Sequence, residues 1–427
     1  MFFRKVAFAA LVLVAANPAR SGVQTQSFVV VPSGPGTTVF SSVGSISAPM
    51  AEAGPRATAS WPVTLDEQLL GTLPATLDIN LPGRPLTTFA RLRGERRGGN
   101  ALLWTGQSSD CNAIFSVAPS FKKGTISCSS GQYGIDQTSS GALRLSRYDN
   151  AGGGTSFEPA PFVPLSAGAT TLGDSKGTTD QTVDILVLFN GSFTTLNIWS
   201  TAQFAVDQTQ LAMDSSTSPG QPNIAEVRLA GAQRISRTVY NEPSHDLSFL
   251  QSDTQIDALR NYWAADVVVY ITTGTGPVLG IAYMPQESGL PAPGPAFAPW
   301  AYAAVLLDYA TNTGDYVFAH EFAHTFGANH NPDHLPANPT PVRSYAFAHW
   351  DVETELDRGY ITIMSYINEC TGHPCERLLH YSNPDVYVDW FHTGLGTRDN
   401  ARLIKEIAPI QAQYRASVGR IFASGFE

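Results

Sequence analysis

Eleven consecutive residues constrain this chain more tightly than any other stretch: His320-Glu321-Phe322-Ala323-His324-Thr325-Phe326-Gly327-Ala328-Asn329-His330. On an α-helix, side chains four apart share one face, with Cβ atoms about 5 to 6 Å apart. His320 and His324 can therefore reach one ion through zinc–nitrogen bonds of about 2.0 to 2.1 Å. Six further helical residues would carry His330 about 600° around the axis and about 9 Å along it. The chain must turn first, and Gly327 suits the turn because glycine enters the left-handed region without a Cβ penalty. Three imidazoles leave the fourth tetrahedral position to water, the pattern of a reacting site rather than a structural one. Glu321 lies beside the same edge and is free to act as a base. With 9 His, 36 acidic residues and 37 Gly in 427 positions, the five fixed positions would arise by chance roughly 3 × 10⁻⁵ times per chain.

Apolar periodicity predicts helices over about 201–214, 252–263 and 313–327. In the third, Asn312 or Thr313 can cap the start, and Phe318, Phe322, Thr325 and Phe326 give a core-facing side opposite the histidines. Val183–Leu188 and Ala265–Tyr270 read as strands and Leu279–Tyr283 as an edge strand, so the body around the motif is of mixed α/β type.

The motif resembles the metzincin signature of zinc metallopeptidases, H-E-x-x-H-x-x-G-x-x-H followed by a methionine turn. Tyr360-Ile361-Thr362-Ile363-Met364-Ser365-Tyr366 matches the S/T-I-M-S-Y form of that turn. The strand segments, together with Tyr381–Val386 and Asp399–Pro409, are similar to bacterial secreted reprolysin-like enzymes, and the peptidyl-Asp metallopeptidases are neighbours. The resemblance covers roughly residues 180–416. It implies an α/β (α+β) catalytic domain with a mixed, mostly parallel sheet and an active-site helix. It also implies one catalytic Zn2+ on His320, His324 and His330, Glu321 as general base, and Met364 as an apolar floor beneath the histidines. Tyr366 is implied either as a zinc ligand or oxyanion donor, or as a buried tyrosine with a satisfied hydroxyl. Gly280, Ile281 and Ala282 would be the edge strand that receives an extended substrate. Asn331 departs from the Asp, Glu, Pro or Ser that several branches carry after the third histidine, so this position does not fix the branch.

Arg4 and Lys5 precede an apolar run from Val6 to Ala16, and Ala19-Arg20-Ser21 offers a small-x-small cleavage pattern. This reads as a signal peptide over 1–21, with export to the extracellular space or periplasm, and the run is too short for a membrane span. Residues 22–150 are rich in Ser, Thr, Gly and Pro with short alternating runs, and read as a β-rich prosegment. Residues 151–180 read as a linker with the processing region, 181–416 as the catalytic domain and 417–427 as a tail. A net charge of −10 without basic–aromatic clusters excludes nucleic acid as partner. The Arg91, Arg93, Arg96 and Arg97 cluster reads as a solvated loop. A monomer acting on protein or peptide is expected.

Four cysteines in an exported chain favour disulfides, and three pairings are open. Proximity favours Cys111 with Cys128, around a hairpin at Phe121–Gly124, and Cys370 with Cys375. The rival is a latency thiolate from Cys111 or Cys128 on the metal. Asp333, His334, His245, His349, His373, His380 and His392 read as loop, surface or core residues. Two other functions fit the motif: a secreted zinc-containing binding protein without turnover, and a zinc amidase acting on a non-protein amide.

Overall fold

The computed structural model describes residues 40–41, 57–148, 181–236, 243–274, 278–285, 293–332, 341–355, 357–366, 370 and 372–415. The expectations for 1–21, 151–180, 417–427, Asp333 and His334 lie outside the described residues.

Nine strands form the N-terminal sheet: β1 (Phe40–Ser41), β2 (Ala57–Leu65), β3 (Thr76–Ile79), β4 (Thr87–Arg97), β5 (Ala101–Gln107), β6 (Cys111–Ala118), β7 (Phe121–Cys128), β8 (Gly131–Gln137) and β9 (Leu143–Tyr148). Their order is β1-β2-β9-β8-β7-β6-β5-β4-β3, and every pairing is antiparallel. Short connections dictate this, since antiparallel neighbours need only a tight turn whereas parallel ones need a crossover. A short helix, α1 (Glu67–Gly71), interrupts the run. Leu77, Phe89, Trp104, Phe115 and Ile126 are fully buried in the core of this sheet. The hairpin between β6 and β7 turns at Pro119-Ser120, and Phe121–Gly124 is already strand, so the turn expected there falls two residues earlier.

The second body is a five-stranded sheet built from β10 (Thr182–Asn190), β11 (Glu226–Ile235), β12 (Val267–Thr272), β13 (Gly280–Ala282) and β14 (Tyr302–Leu306). Its order is β11-β10-β12-β14-β13. Three pairings are parallel and the last, β13 on β14, is antiparallel. The sheet around the motif is therefore mixed and mostly parallel, while the larger sheet is wholly antiparallel. Helices α2 (Ile198–Ser215), α3 (Pro243–Ser252) and α4 (Thr254–Tyr262) make the crossovers that parallel pairing requires. Near-continuous apolar runs in β10, β12 and β14 are buried on both faces, as in other covered parallel sheets. Helix α3 falls in a stretch given no helix above; it buries only Pro243, Asp246, Leu247 and Leu250, too few to set a period.

A short helix, α5 (Leu307–Ala310), leads to α6 (Val317–His324), which carries the first half of the motif. Helix α6 starts four residues later than the sequence reading has it. Tyr316 sits at its N-cap in the left-handed region (φ 53°, ψ 37°) without a side-chain cap. The expected caps do not serve it: Asn312 donates through Nδ2 to Asp315 (2.6 Å) while its Oδ1, the atom that would cap, has no partner among the described residues, and Thr313 pairs with Thr125 (3.1 Å). The remainder is irregular, with β15 (Trp350–Glu353), β16 (Arg358–Ile361), β17 (Cys375–Arg377), β18 (Tyr387–Val388), β19 (Phe391–His392) and helix α7 (Asn400–Gln411). Cys111 is bonded to Cys128 across β6 and β7, and Cys370 to Cys375. The latency-thiolate alternative is thereby removed, because both thiols are consumed. Among the described residues no helix is long and apolar enough to cross a membrane.

Candidate metal centre

Helix α6 is buried on every side, histidines included. Phe318, Phe322 and Phe326 pack into the main core, and the Tyr381 hydroxyl donates to Ala319 O (2.9 Å), which fixes the helix against the C-terminal segment. After His324 the chain turns at Gly327, whose φ is +99° and whose absent Cβ would lie 2.5 Å from Val342 Cγ2. Both the conformation and the close approach require glycine. Beyond it, Asn329 N donates to Ala346 O (3.1 Å) and Ala348 N to Asn329 O (3.0 Å). This backbone ladder, topped by Asn400 Nδ2 on Asn329 O (3.0 Å), returns His330 to its two partners.

The three imidazoles converge. His330 Nε2 lies 3.0 Å from His320 Nε2 and 3.1 Å from His324 Nε2, and one nitrogen from each falls within 4.8 Å of the others. The opposite edges explain which nitrogen is offered. His320 Nδ1 faces Ile363 O (2.9 Å) and His324 Nδ1 faces Ala328 O (2.8 Å). A carbonyl only accepts, so both Nδ1 atoms carry the proton and both Nε2 lone pairs point inward. Lone pairs at this separation repel one another unless a cation lies between them. Outward-bonded Nδ1 with inward Nε2 is the way proteins orient imidazoles around zinc, so this donor set fits the ion. Burial lowers all three histidines: His324 to about 4, His320 and His330 well below their ordinary range, the latter two further depressed by neighbouring imidazoles and Arg377. They are neutral at physiological pH and available as ligands.

Two residues to which the sequence reading gave no role hold this frame. Arg377, on β17 and buried, donates through Nη1 to Ile363 O (2.6 Å), Ser365 O (2.8 Å) and Thr362 O (3.3 Å). One guanidinium thus gathers the carbonyls of the methionine turn and shares Ile363 O with His320. Asn331 accepts from Tyr366 N (3.1 Å), which gives the position that departs from the family pattern a definite task. Neither has a spacing signal in the sequence, because each acts on backbone far away in the chain. Met364 is fully buried in the same core as α6. The Tyr366 hydroxyl lies 2.8 Å from His330 Nδ1, on the edge of the ring away from Nε2. The Tyr366 hydroxyl thus sits on His330 where the carbonyls sit on the other two rings, and orients the ring by accepting from Nδ1 or donating to it.

Glu321 is buried, and its Oε1 has no hydrogen-bond partner among the described residues. Desolvation pushes its carboxyl well above the ordinary range; a dication at the histidines would oppose that shift and favour the carboxylate. Gly280 on β13 abuts it directly. A Cβ there would lie 2.5 Å from Glu321 Cγ, 2.8 Å from Glu321 Oε1 and 2.8 Å from Val317 Cγ1. The edge strand and the acid are thus in contact, with β13 paired to β14 through Gly280–Val305, Ile281–Ala304 and Ala282–Ala303. Of the other histidines, His349 and His380 are buried and His392 is exposed, while His373 pairs with Asp357 (2.8 Å).

Residues 179–375 match the family model Reprolysin_5, metallo-peptidase family M12. Two peptidyl-Asp metalloendopeptidases of Stenotrophomonas maltophilia, from strains K279a and R551-3, align over 271 residues at 29% and 28% identity, covering 61% of this chain. The chain spans 59% of the length of these relatives. Among solved structures, metalloproteinase-II from Bacteroides fragilis aligns at 13% identity over 62% of this chain and 84% of that one, with a TM-score of 0.35.

Proposed function

We propose, from the premise that residues 179–375 are a metzincin-type domain of metallo-peptidase family M12, that this chain is an exported zinc-dependent endopeptidase. The observation that carries the reading is the convergence of three Nε2 atoms beside a buried carboxyl that contacts an edge strand. His320, His324 and His330 would hold the ion. When bound, zinc polarises the scissile carbonyl and acidifies water. Glu321 takes the proton of the attacking water and returns it to the leaving amine, the role of a general base that becomes a general acid. Its dry surroundings sharpen that transfer, because no bulk water competes for the proton. The peptide lies extended along Gly280–Ala282 and extends the sheet through main-chain hydrogen bonds. This alignment sets the scissile bond next to the acid that Gly280 touches. Met364 and Arg377 keep the floor rigid, and the segment between His330 and Tyr381 shapes the specificity pocket.

Export fits the N-terminal sequence pattern and the two disulfides, which persist in oxidising compartments. The names of the two relatives suggest an aspartyl residue at the cleaved bond, and a peptide-library profile of the processed protein tests that preference. The decisive experiment compares wild type with Glu321→Ala for casein turnover, with and without chelator, alongside zinc content. Turnover is expected only in zinc-loaded wild type, with zinc retained in the variant. Activity surviving in Glu321→Ala would overturn the base assignment. Zinc without turnover on any peptide would favour a binding protein instead.

A further inference from the structure

The arginine cluster read above as a solvated loop is a strand, and only two of its four members, Arg91 and Arg96, are exposed. Arg91, Arg93, Arg96 and Arg97 all lie on β4, and two of them reach out of the N-terminal sheet into the catalytic body. Arg93 grips Asp214 of α2 through Nε (2.5 Å) and Nη2 (2.8 Å) and also reaches Glu226 of β11 (2.8 Å). Arg97 grips Asp207, one helical stretch earlier on α2, through Nη1 (2.6 Å) and Nη2 (2.8 Å). Both carboxylates are nearly inaccessible, with side chains only 5% exposed. Gln210 and Gln203 of α2 complete their hydrogen bonds. Bidentate pairs of this kind fix a register as well as adding energy.

The seam between the two bodies also carries apolar and hydrogen-bonded contacts. Leu103 and Ile114 of the N-terminal sheet belong to the same core as α2, β10 and α6, and the Phe121 and Phe204 rings pack at 6.3 Å. Thr125 meets Thr313 (3.1 Å) and Gln208 (3.1 Å). The Tyr316 hydroxyl donates to Gln132 (2.6 Å), so the left-handed residue that starts α6 is held from the N-terminal sheet. Further on, Leu379 N donates to Ser127 Oγ (3.3 Å) and Asn112 meets His380 (3.4 Å). The docking face is thus α2, the start of α6 and the segment around 379–380, whereas the metal-facing surroundings come from β13, the Gly327 turn and the methionine turn.

We propose that the N-terminal sheet is a permanent brace, which stays docked on α2 after the chain is cut between the two bodies. It supports the metal helix from behind. This takes the two-part precursor reading as its starting point but does not depend on catalysis. Uncovering α2 would expose Leu103, Ile114, Phe204 and Tyr316 together, and would release the support of the α6 start. Both disulfides close within one body, so no covalent bond would hide a separation.

The test introduces a site for a sequence-specific protease within residues 151–180 of the full chain, cuts it, and follows the two fragments by gel filtration at micromolar concentration in 0.15 M and 1 M NaCl. One co-eluting species at both salts is expected, since buried pairs are little screened. Two peaks in either native buffer would overturn the brace, whatever the fold of the separated parts. In the cut protein, Arg93→Ala and Arg97→Ala are each expected to weaken fragment association roughly 30-fold or more, the loss typical of truncating one partner of a buried charge pair. Unchanged association in both variants would overturn the clamp assignment. A cut complex that stays together yet never turns over peptide would count against the peptidase reading alone.

Discussion

Replacing Gly280 with alanine tests whether the edge strand positions the base. The added methyl would lie 2.5 Å from Glu321 Cγ and 2.8 Å from both Glu321 Oε1 and Val317 Cγ1. Comfortable carbon–carbon contacts lie near 3.5 to 4.0 Å, so relief requires about 1 Å of movement by Glu321 or by all of α6. Val317 and Glu321 are one turn apart on the same buried helix, which leaves the Glu321 side chain as the softer element. A misplacement of about 1 Å costs on the order of 10²-fold in rate, and overpacking adds about 1 to 3 kcal/mol of destabilisation. Peptide hydrolysis by the full processed chain should therefore show kcat down about 100-fold, with zinc stoichiometry unchanged, since no histidine contacts the new methyl. Gly396→Ala, where a Cβ would meet nothing within 4 Å, is the matched control and should leave kcat unchanged. A Gly280→Ala enzyme within about threefold of wild type, with Tm preserved, would refute the reasoning that β13 sets the base.

Three further outcomes follow from the same geometry. Tyr366→Phe should weaken metal affinity about 10- to 100-fold in chelator competition, because it removes the hydrogen bond to His330 Nδ1; unaltered affinity with reduced kcat would return the hydroxyl to an oxyanion role. Arg377→Met should destabilise the protein by about 3 to 5 kcal/mol in urea unfolding, since three buried carbonyls lose a charged donor; a Tm within experimental error of wild type would remove Arg377 from the frame. Chelator-treated protein should lose stability on acidification. Burial lowers His324 and His349 to about 4 and His380 to about 3. The unfolded chain therefore binds more protons than the folded one below the ordinary histidine value of about 6.5. Stability is full above that pH and is lost progressively down to about pH 3, where the last of these histidines protonates in the folded chain. A Tm that stays flat between pH 7 and 4.5 would contradict this.

The metal motif was legible because its information is local. Helical spacing brings His320 and His324 together and glycine permits the turn, so the candidate set can be read from eleven residues, although contacts with Ala346, Ala348 and Asn400 return His330 to it. The mostly parallel sheet was an expectation from the family resemblance, and the buried run Val267–Thr272, whose polar groups are the Tyr270 hydroxyl and Thr272, agrees with a strand covered on both faces. The start of α6 was misplaced because Thr313 and Asn312 look like caps, yet the Thr313 hydroxyl is taken by Thr125 and Asn312 Oδ1 reaches no donor among the described residues. A propensity to cap is outweighed when a tertiary partner offers a better hydrogen bond.

What the tertiary structure alone decided lies in the contacts made over long sequence separation. Arg377 and Asn331 act on backbone of the methionine turn, Gly280 shapes Glu321 by lacking a side chain, and Arg93 and Arg97 find their acids on a helix more than a hundred residues away. A charged cluster on a strand carries no mark of its partner, because a guanidinium reads the same whether water or a buried carboxylate receives it. The sequence by itself determined the spacing of His320, Glu321, His324 and His330, where spacing is geometry. Folding determined which surfaces hold that geometry still, because complementarity between distant segments exists only once the chain is closed.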